Sequence, residues 1–350
     1  MIEALQSLSK EKVATNFESI PFAPEERLVP AAAIALFNEL PLSCASKVSS
    51  FINSEVFYER ACSSLAVLGC RKQEHGLSFK RMYFEVQVED LLKQTIALPR
   101  GIAENIFTLS ACSRDFQLDK VCCQLPNLNH LDVRFEASSS HFPLECVPLA
   151  LSGATNLVSL TLQDSNLTDG DVATMFDNGS CTYDTILDLN LSHNSITSTG
   201  LAVIVTAFLA SPESVLCSLE MIGNKIDSEG GSVLGKSLAT NESLLTLNLR
   251  LNNLGDLGGS ALLDCLWNNA TLRYLNLSGN NLASSSANSL VKMLESNDSL
   301  SLEAVIITSN PFSEEDEEAI KSCDRCFLDV RGGSSPERQE MFLGKSLMPF

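Results

Sequence analysis

A chain of 350 residues with 45% hydrophobic side chains can bury a large core without disulfide or metal staples, so wholesale disorder is excluded. Its formal charge of −19 repels phosphate backbones, and the densest basic stretch, Arg71-Lys72 with Lys80-Arg81, is interrupted by Glu74, which argues against nucleic acid. The longest apolar run, 201–210, is about half the ~18 residues a membrane span needs and reads as a buried helix.

Residues 1–98 show no repeat. Helical patterns lie near 2–17, 43–52, 54–68 and 79–94, with proline breaks at Pro21, Pro24, Pro30 and Pro41, which predicts a separate helical module. The first residues, MIEALQSLSKEKVATNFES, lack the basic-then-apolar pattern of a secretory signal. With no export signal expected, the 12 cysteines are read as reduced thiols, and the Asn-x-Ser/Thr sequons at Asn166, Asn190, Asn241, Asn269 and Asn276 as repeat and loop residues.

From about residue 99 the pattern changes. Ile106-Phe107-Thr108-Leu109 reads as an early strand, and Asn127 to Val133 opens a degenerate repeat. Five copies of L-x-x-L-x-L-x-x-N-x-L follow, with their asparagines at 194, 224, 252, 280 and 310; a sixth copy, from Leu157 to Leu167, has Ser165 in that column. The column positions step by 29, 30, 28, 28 and 30. Alternating apolar residues make a short strand in each copy, and the asparagine is expected to bond neighbouring backbone where the chain turns.

Helical spacing over 200–210, 231–240, 259–268 and 287–296 places a helix between successive strands. Strand and helix alternating with this step resemble the ribonuclease-inhibitor class of leucine-rich repeats. That resemblance implies an α/β horseshoe solenoid over 99–330, regular over about 155–325, with parallel strands inside and helices outside. Cys326 to Val330 reads as a capping strand, and 331–350, containing Gly332-Gly333-Ser334-Ser335-Pro336, as a flexible tail.

Several motifs hint at chemistry. Gly230-Gly231-Ser232-Val233-Leu234-Gly235-Lys236-Ser237 matches the phosphate-cradling G-x-x-x-x-G-K-S spacing, but aligns column by column with Gly258 to Cys265 of the next repeat. Gly230 and Gly231 therefore read as repeat-turn glycines. Cys323-x-x-Cys326 lacks a second pair at zinc spacing, and the run Glu314 to Glu318 sits where carboxylates favour a helix N-terminus. The histidines at 75, 130, 141 and 193 are far apart in sequence. No catalytic, cofactor or metal residue is expected, nor a small-molecule substrate.

A repeat sheet of this kind binds through outward strand residues. One row is Thr161, Asn190, Glu220, Asn248, Asn276 and Ile306; the next is Gln163, Ser192, Ile222, Arg250, Ser278 and Thr308. These are small and mostly uncharged, which suits a closely fitted protein partner better than strong electrostatic capture.

Two N-terminal segments carry a more particular likeness. Ile52 to Arg60, containing Tyr58 and Arg60, and His75 to Glu85, containing Gly76, Phe79, Lys80, Arg81 and Phe84, resemble the stretches preceding the repeats in the T-complex-associated testis-expressed protein 1 family. That family forms subunit 5 of the nexin-dynein regulatory complex; it usually has tryptophan where this chain has Tyr58 and Phe79. The resemblance implies a non-catalytic structural subunit of the ciliary or flagellar axoneme, bound to other regulatory-complex subunits, dynein or the doublet microtubule. Two alternatives share the repeat class. A GTPase activator would need an exposed arginine, for which Arg250 is the repeat-strand candidate, and an F-box-like adaptor is echoed by Leu40-Pro41 ahead of a helical stretch.

Overall fold

The computed structural model describes residues 59, 62, 106, 108–111, 125–133, 156–176, 184–296, 301–323 and 327–329. The chain divides into two compact units, Met1–Ala111 with Phe116–His130, and Cys112–Asp115 with Leu131–Phe350. In the first unit Glu59 and Cys62 are helical, inside the stretch expected to be a helix, and strand β1 runs over Thr108–Ala111. Strand β2, His130–Val133, stands at the boundary between the units in sequence.

The described part of the second unit is a leucine-rich-repeat α/β solenoid. Its strands β3 (Ser159–Thr161), β4 (Asp188–Asn190), β5 (Ser218–Glu220), β6 (Thr246–Asn248), β7 (Tyr274–Asn276), β8 (Ala304–Ile306) and β9 (Phe327–Asp329) form an open sheet in chain order. Every neighbouring pair is parallel, and the register joins equivalent positions: Leu160, Leu189, Leu219, Leu247, Leu275, Val305 and Leu328 align across the sheet. The capping strand is thus present, one residue shorter at each end than its sequence pattern.

A helix follows each of strands β3 to β8: α1 Asp169–Phe176, α2 Ser198–Phe208, α3 Ser228–Leu238, α4 Gly255–Leu266, α5 Ser284–Ser296 and α6 Glu314–Lys321. Helices α2 to α5 begin two to four residues earlier than the apolar spacing predicted. The first turns of α2 and α3 are specified by polar caps, which apolar periodicity does not register: Thr197 accepts from Thr199 N ahead of α2, and Asp227 from Glu229 N ahead of α3. Gly230 and Gly231 consequently lie in the first turn of α3, not in a turn between elements. The reason for glycine there is close packing, since a Cβ on Gly231 would fall 2.4 Å from the Gly258 carbonyl oxygen.

The core lies between sheet and helices. Each strand sends one leucine-type side chain inward, and its repeat adds three more, so that Leu216, Leu219, Met221 and Ile226 in one repeat, and Leu244, Leu247, Leu249 and Leu254 in the next, are almost wholly buried. Each such side chain contributes roughly 1.5–3 kcal/mol of transfer free energy, and stacked repeats supply the walls that one repeat lacks. Phe176 and Phe208 meet edge to face at 5.2 Å between α1 and α2.

The asparagine column forms the predicted backbone bridge, extended across repeats. Asn252 Nδ2 donates to Leu249 O of its own repeat and Met221 O of the previous one, while its Oδ1 accepts from Ile226 N. Asn194, Asn224, Asn280 and Asn310 repeat the arrangement. Just before each of these asparagines, and before Ser165 in the same column, sits a residue at positive φ: Asp164, His193, Gly223, Leu251, Gly279 and Ser309, between 54° and 65°. Parallel pairing continues up to this column, as with His193 N to Ile222 O and Leu251 N to Ser278 O, and the left-handed residue then turns the chain off the sheet edge.

Candidate protein-binding face

Strand alternation places Leu189, Leu219 and Leu247 inward, so the residues flanking each of them face the opposite side of the sheet. Both rows expected from the sequence lie on this side, but the positions differ in accessibility. Asn248, Asn276, Ile306, Ser192 and Ser278 are buried; Thr161, Asn190, Glu220, Gln163, Ile222 and Thr308 are half-buried; Arg250 is exposed. Strands spaced by about 4.8 Å leave little room around a small side chain set between larger neighbours.

Hydrogen bonding fixes several of these groups. Asn190 Oδ1 accepts from Ser192 N, Asn248 Oδ1 from Arg250 N, and Asn276 Oδ1 from Ser278 N. Each bond closes a local turn at the strand end and sets the orientation of the carboxamide. Ser192 Oγ accepts from Ile222 N on the adjacent strand, and Thr308 Oγ1 donates to Ser278 Oγ.

A third row was missed in the sequence. Ser159, Asp188, Ser218, Thr246, Tyr274 and Ala304 form the first position of strands β3 to β8 and lie on the same side, two residues before the Asn190 row. Period-two alternation, carried one step back from Leu189, was the available signal. This row adds a second carboxylate. Asp188 is register partner to Ser218, so it stands diagonal to Glu220. Burial pushes the Asp188 carboxyl above its ordinary range; burial and then the nearby Asp188 charge push Glu220 up as well. Burial and Asp188 likewise raise the Cys217 thiol, leaving it a weak nucleophile. At the other end of the row Tyr274 donates its hydroxyl proton to Glu303 Oε2 at 2.6 Å, with Arg273 paired to the same carboxylate at 3.1 Å; both groups hold neighbouring repeats together.

The motifs outside this face resolve into structure. The segment 230–237 is helical throughout, whereas a phosphate cradle needs a loop ahead of the helix, and Lys236 lies exposed in the last turn of α3. Ser313 and Asp316 form a capping box at the start of α6, so the acidic run at 314–318 complements that helix terminus. Cys323 is buried with its thiol toward Ala319 O, while Cys326 lies outside the described residues. His193 is exposed at its left-handed position; His75 and His141 lie outside the described residues. Asn241 and Asn269 of the sequons are buried with their Nδ2 atoms donating to Leu209 O and Leu238 O, which closes them to modification in the folded chain. Among the described residues no three His, Cys, Asp or Glu side chains group to hold a metal, and no helix is long and apolar enough to cross a membrane. Tyr58, Arg60, His75, Gly76, Phe79, Lys80, Arg81, Phe84 and Glu85 of the N-terminal segments lie outside the described residues, as does the tail 331–350.

The leucine-rich-repeat family model matches residues 185–205, 240–263 and 268–291. Among solved structures the chain is similar to an internalin from Listeria monocytogenes, with 18% sequence identity and a TM-score of 0.40 over 67% of this chain and 58% of that one. No curated protein matched the sequence.

Proposed function

We propose that this leucine-rich-repeat protein is a non-catalytic scaffold subunit of the nexin-dynein regulatory complex, linking doublet microtubules and regulating dynein-driven ciliary and flagellar motility. The repeat array supports a role in protein interaction, because its open sheet face offers closely spaced, pre-oriented polar groups. The likeness of the segments around Tyr58 and Phe79 to the T-complex-associated testis-expressed protein 1 family carries the choice of complex. In this reading the protein resides in the cytoskeleton of the axoneme, and its partners are other regulatory-complex subunits, with dynein or the doublet surface nearby.

Tagging the full chain in a flagellated cell tests the proposal. Retention on demembranated axonemes, and release by salt together with regulatory-complex subunits, is the expected result. A diffuse signal lost on demembranation would overturn it, and recovery with a Skp1-like adaptor would favour the F-box-like alternative.

A further inference from the structure

Four consecutive register positions across β4 to β7 hold Asn190, Glu220, Asn248 and Asn276. Their span of three strand spacings is about 14 Å, the length of roughly four residues of extended chain. Asn248 and Asn276 are only 3% and 6% exposed. In both, Oδ1 is engaged by the amide two residues on, and among the described residues nothing accepts from Nδ2. With each oxygen engaged, the two carboxamides keep their amide hydrogens as donors without an acceptor among the described residues.

Between the Asn190 and Asn248 positions stands Glu220, with Asp188 diagonal to it. Neither carboxylate has a hydrogen bond or ion pair among the described residues. Arg250, two positions beyond the register partner of Glu220, is exposed and forms no ion pair with it. Two desolvated like charges without a counter-charge lack the partner that burial of a carboxylate calls for. The charges ask for a cation, while the asparagine donors ask for carbonyl oxygens.

We propose that this face takes an extended peptide segment of a partner protein whose carbonyl oxygens accept from Asn248 and Asn276 and whose arginine or lysine side chain enters between Asp188 and Glu220. This seat rests on the sheet face being the interaction surface, and it specifies the partner's chemistry there: locally basic and extended. The net charge of −19 favours such a segment at a distance, and the half-buried carboxylates hold it in place. The backbone contacts supply affinity without sequence choice, and the carboxylate pair supplies the choice.

The probe is a capped nine-residue serine-glycine peptide with one central arginine, compared with the same peptide carrying neutral citrulline. Both are titrated into the ¹⁵N-labelled full chain, with the side-chain amide resonances of Asn248 and Asn276 followed. The arginine peptide is expected to bind at least tenfold tighter and to shift both amides. Glu220→Gln should cut the preference to under threefold. Asn248→Ala should weaken both peptides alike, and Glu318→Gln on exposed α6 should leave the preference intact. Absence of saturable binding, a preference that survives Glu220→Gln, or an equal loss in Glu318→Gln would each overturn the proposal. Retention on axonemes uses no peptide, so a chain retained there yet indifferent to arginine overturns only the basic-partner inference. A chain that prefers arginine but washes off axonemes overturns only the choice of complex.

Discussion

The ring of His193 lies over Gly223, so that a Cβ placed on that glycine would fall 2.8 Å from His193 Nδ1. The same column repeats the relationship two strands on, where a Cβ on Gly279 would fall 2.9 Å from Leu251 Cδ2. Bulky and hydrogen-only residues alternate because all of these positions are left-handed and stack directly on one another.

Gly223→Ala therefore meets two costs, a left-handed backbone of about 1–2 kcal/mol for an L residue and displacement of an exposed ring. The sum is expected near 2 kcal/mol in urea unfolding at pH 7. The double variant His193→Gly with Gly223→Ala should recover the steric part and leave the backbone part. If Gly223→Ala is as stable as the parent, the left-handed turn does not constrain this position.

Gly231→Ala discriminates between a helix-contact glycine and a phosphate-loop glycine. In an isolated helix this substitution gains about 1 kcal/mol from propensity. Here the new methyl would meet the carbonyl carbon and oxygen of Gly258 at 2.8 and 2.4 Å, and backbone cannot swing aside as a side chain can. A net loss of about 2–4 kcal/mol is expected from the forced separation of α3 and α4. Lys236→Ala, on the exposed face, should change stability by less than about 0.5 kcal/mol and should alter no ATP titration signal.

The asparagine column, the strand register and the order of elements were legible in the sequence because one residue type recurs at a step of 28–30 and inward leucines alternate with outward polar residues. The helix starts were not, since capping here crosses repeats. Asp169 accepts from Thr197 N and Gly200 N, and Ser198 Oγ from Asp227 N and Gly230 N, both 28 or more residues away. The Asp188 row follows from the same alternation, one step back from Leu189, but its mixed residues, from Ser159 to Tyr274 and Ala304, share no residue type that marks it as a column. Glycine identity at 230 and 231 was visible, but its causes, the Ile226 and Ser198 side chains against Gly230 and the Gly258 backbone against Gly231, appear only in the folded packing.

Asn252→Ala should be the most damaging single change in the polar column. It removes donors to Met221 O and Leu249 O and the acceptor for Ile226 N, all buried, and leaves those backbone groups unpaired. A loss of about 3 kcal/mol or more is expected. Amide exchange should quicken first at Ile226, before global unfolding, if the bridge is what holds adjacent turns together.

Two sets of carboxylates give stability opposite responses to acid. Burial pushes the Asp256 carboxyl up, but the bonds it accepts from Ala283 N, Ser285 N and Ser286 N at the start of α5 together outweigh it and hold the carboxyl down at about 2. A folded value below the ordinary 3.8 means that this stabilisation is full above about pH 4 and is lost as pH falls toward 2. Asp256→Ala should cost about 1 kcal/mol at pH 7, the usual size of a lost cap, and flatten the acid limb of the unfolding curve. Glu220 behaves in the reverse sense. Its folded value lies above the ordinary 4.5, so ionisation opposes folding, and the penalty is present above the folded value and vanishes below the unfolded one. Glu220→Gln is accordingly expected to stabilise the free chain at pH 7, with the advantage shrinking as pH falls to about 4. A destabilised Glu220→Gln chain at neutral pH would mean that the carboxylate already has a counter-charge within the protein, and the seat proposed for a partner's cation would then be filled.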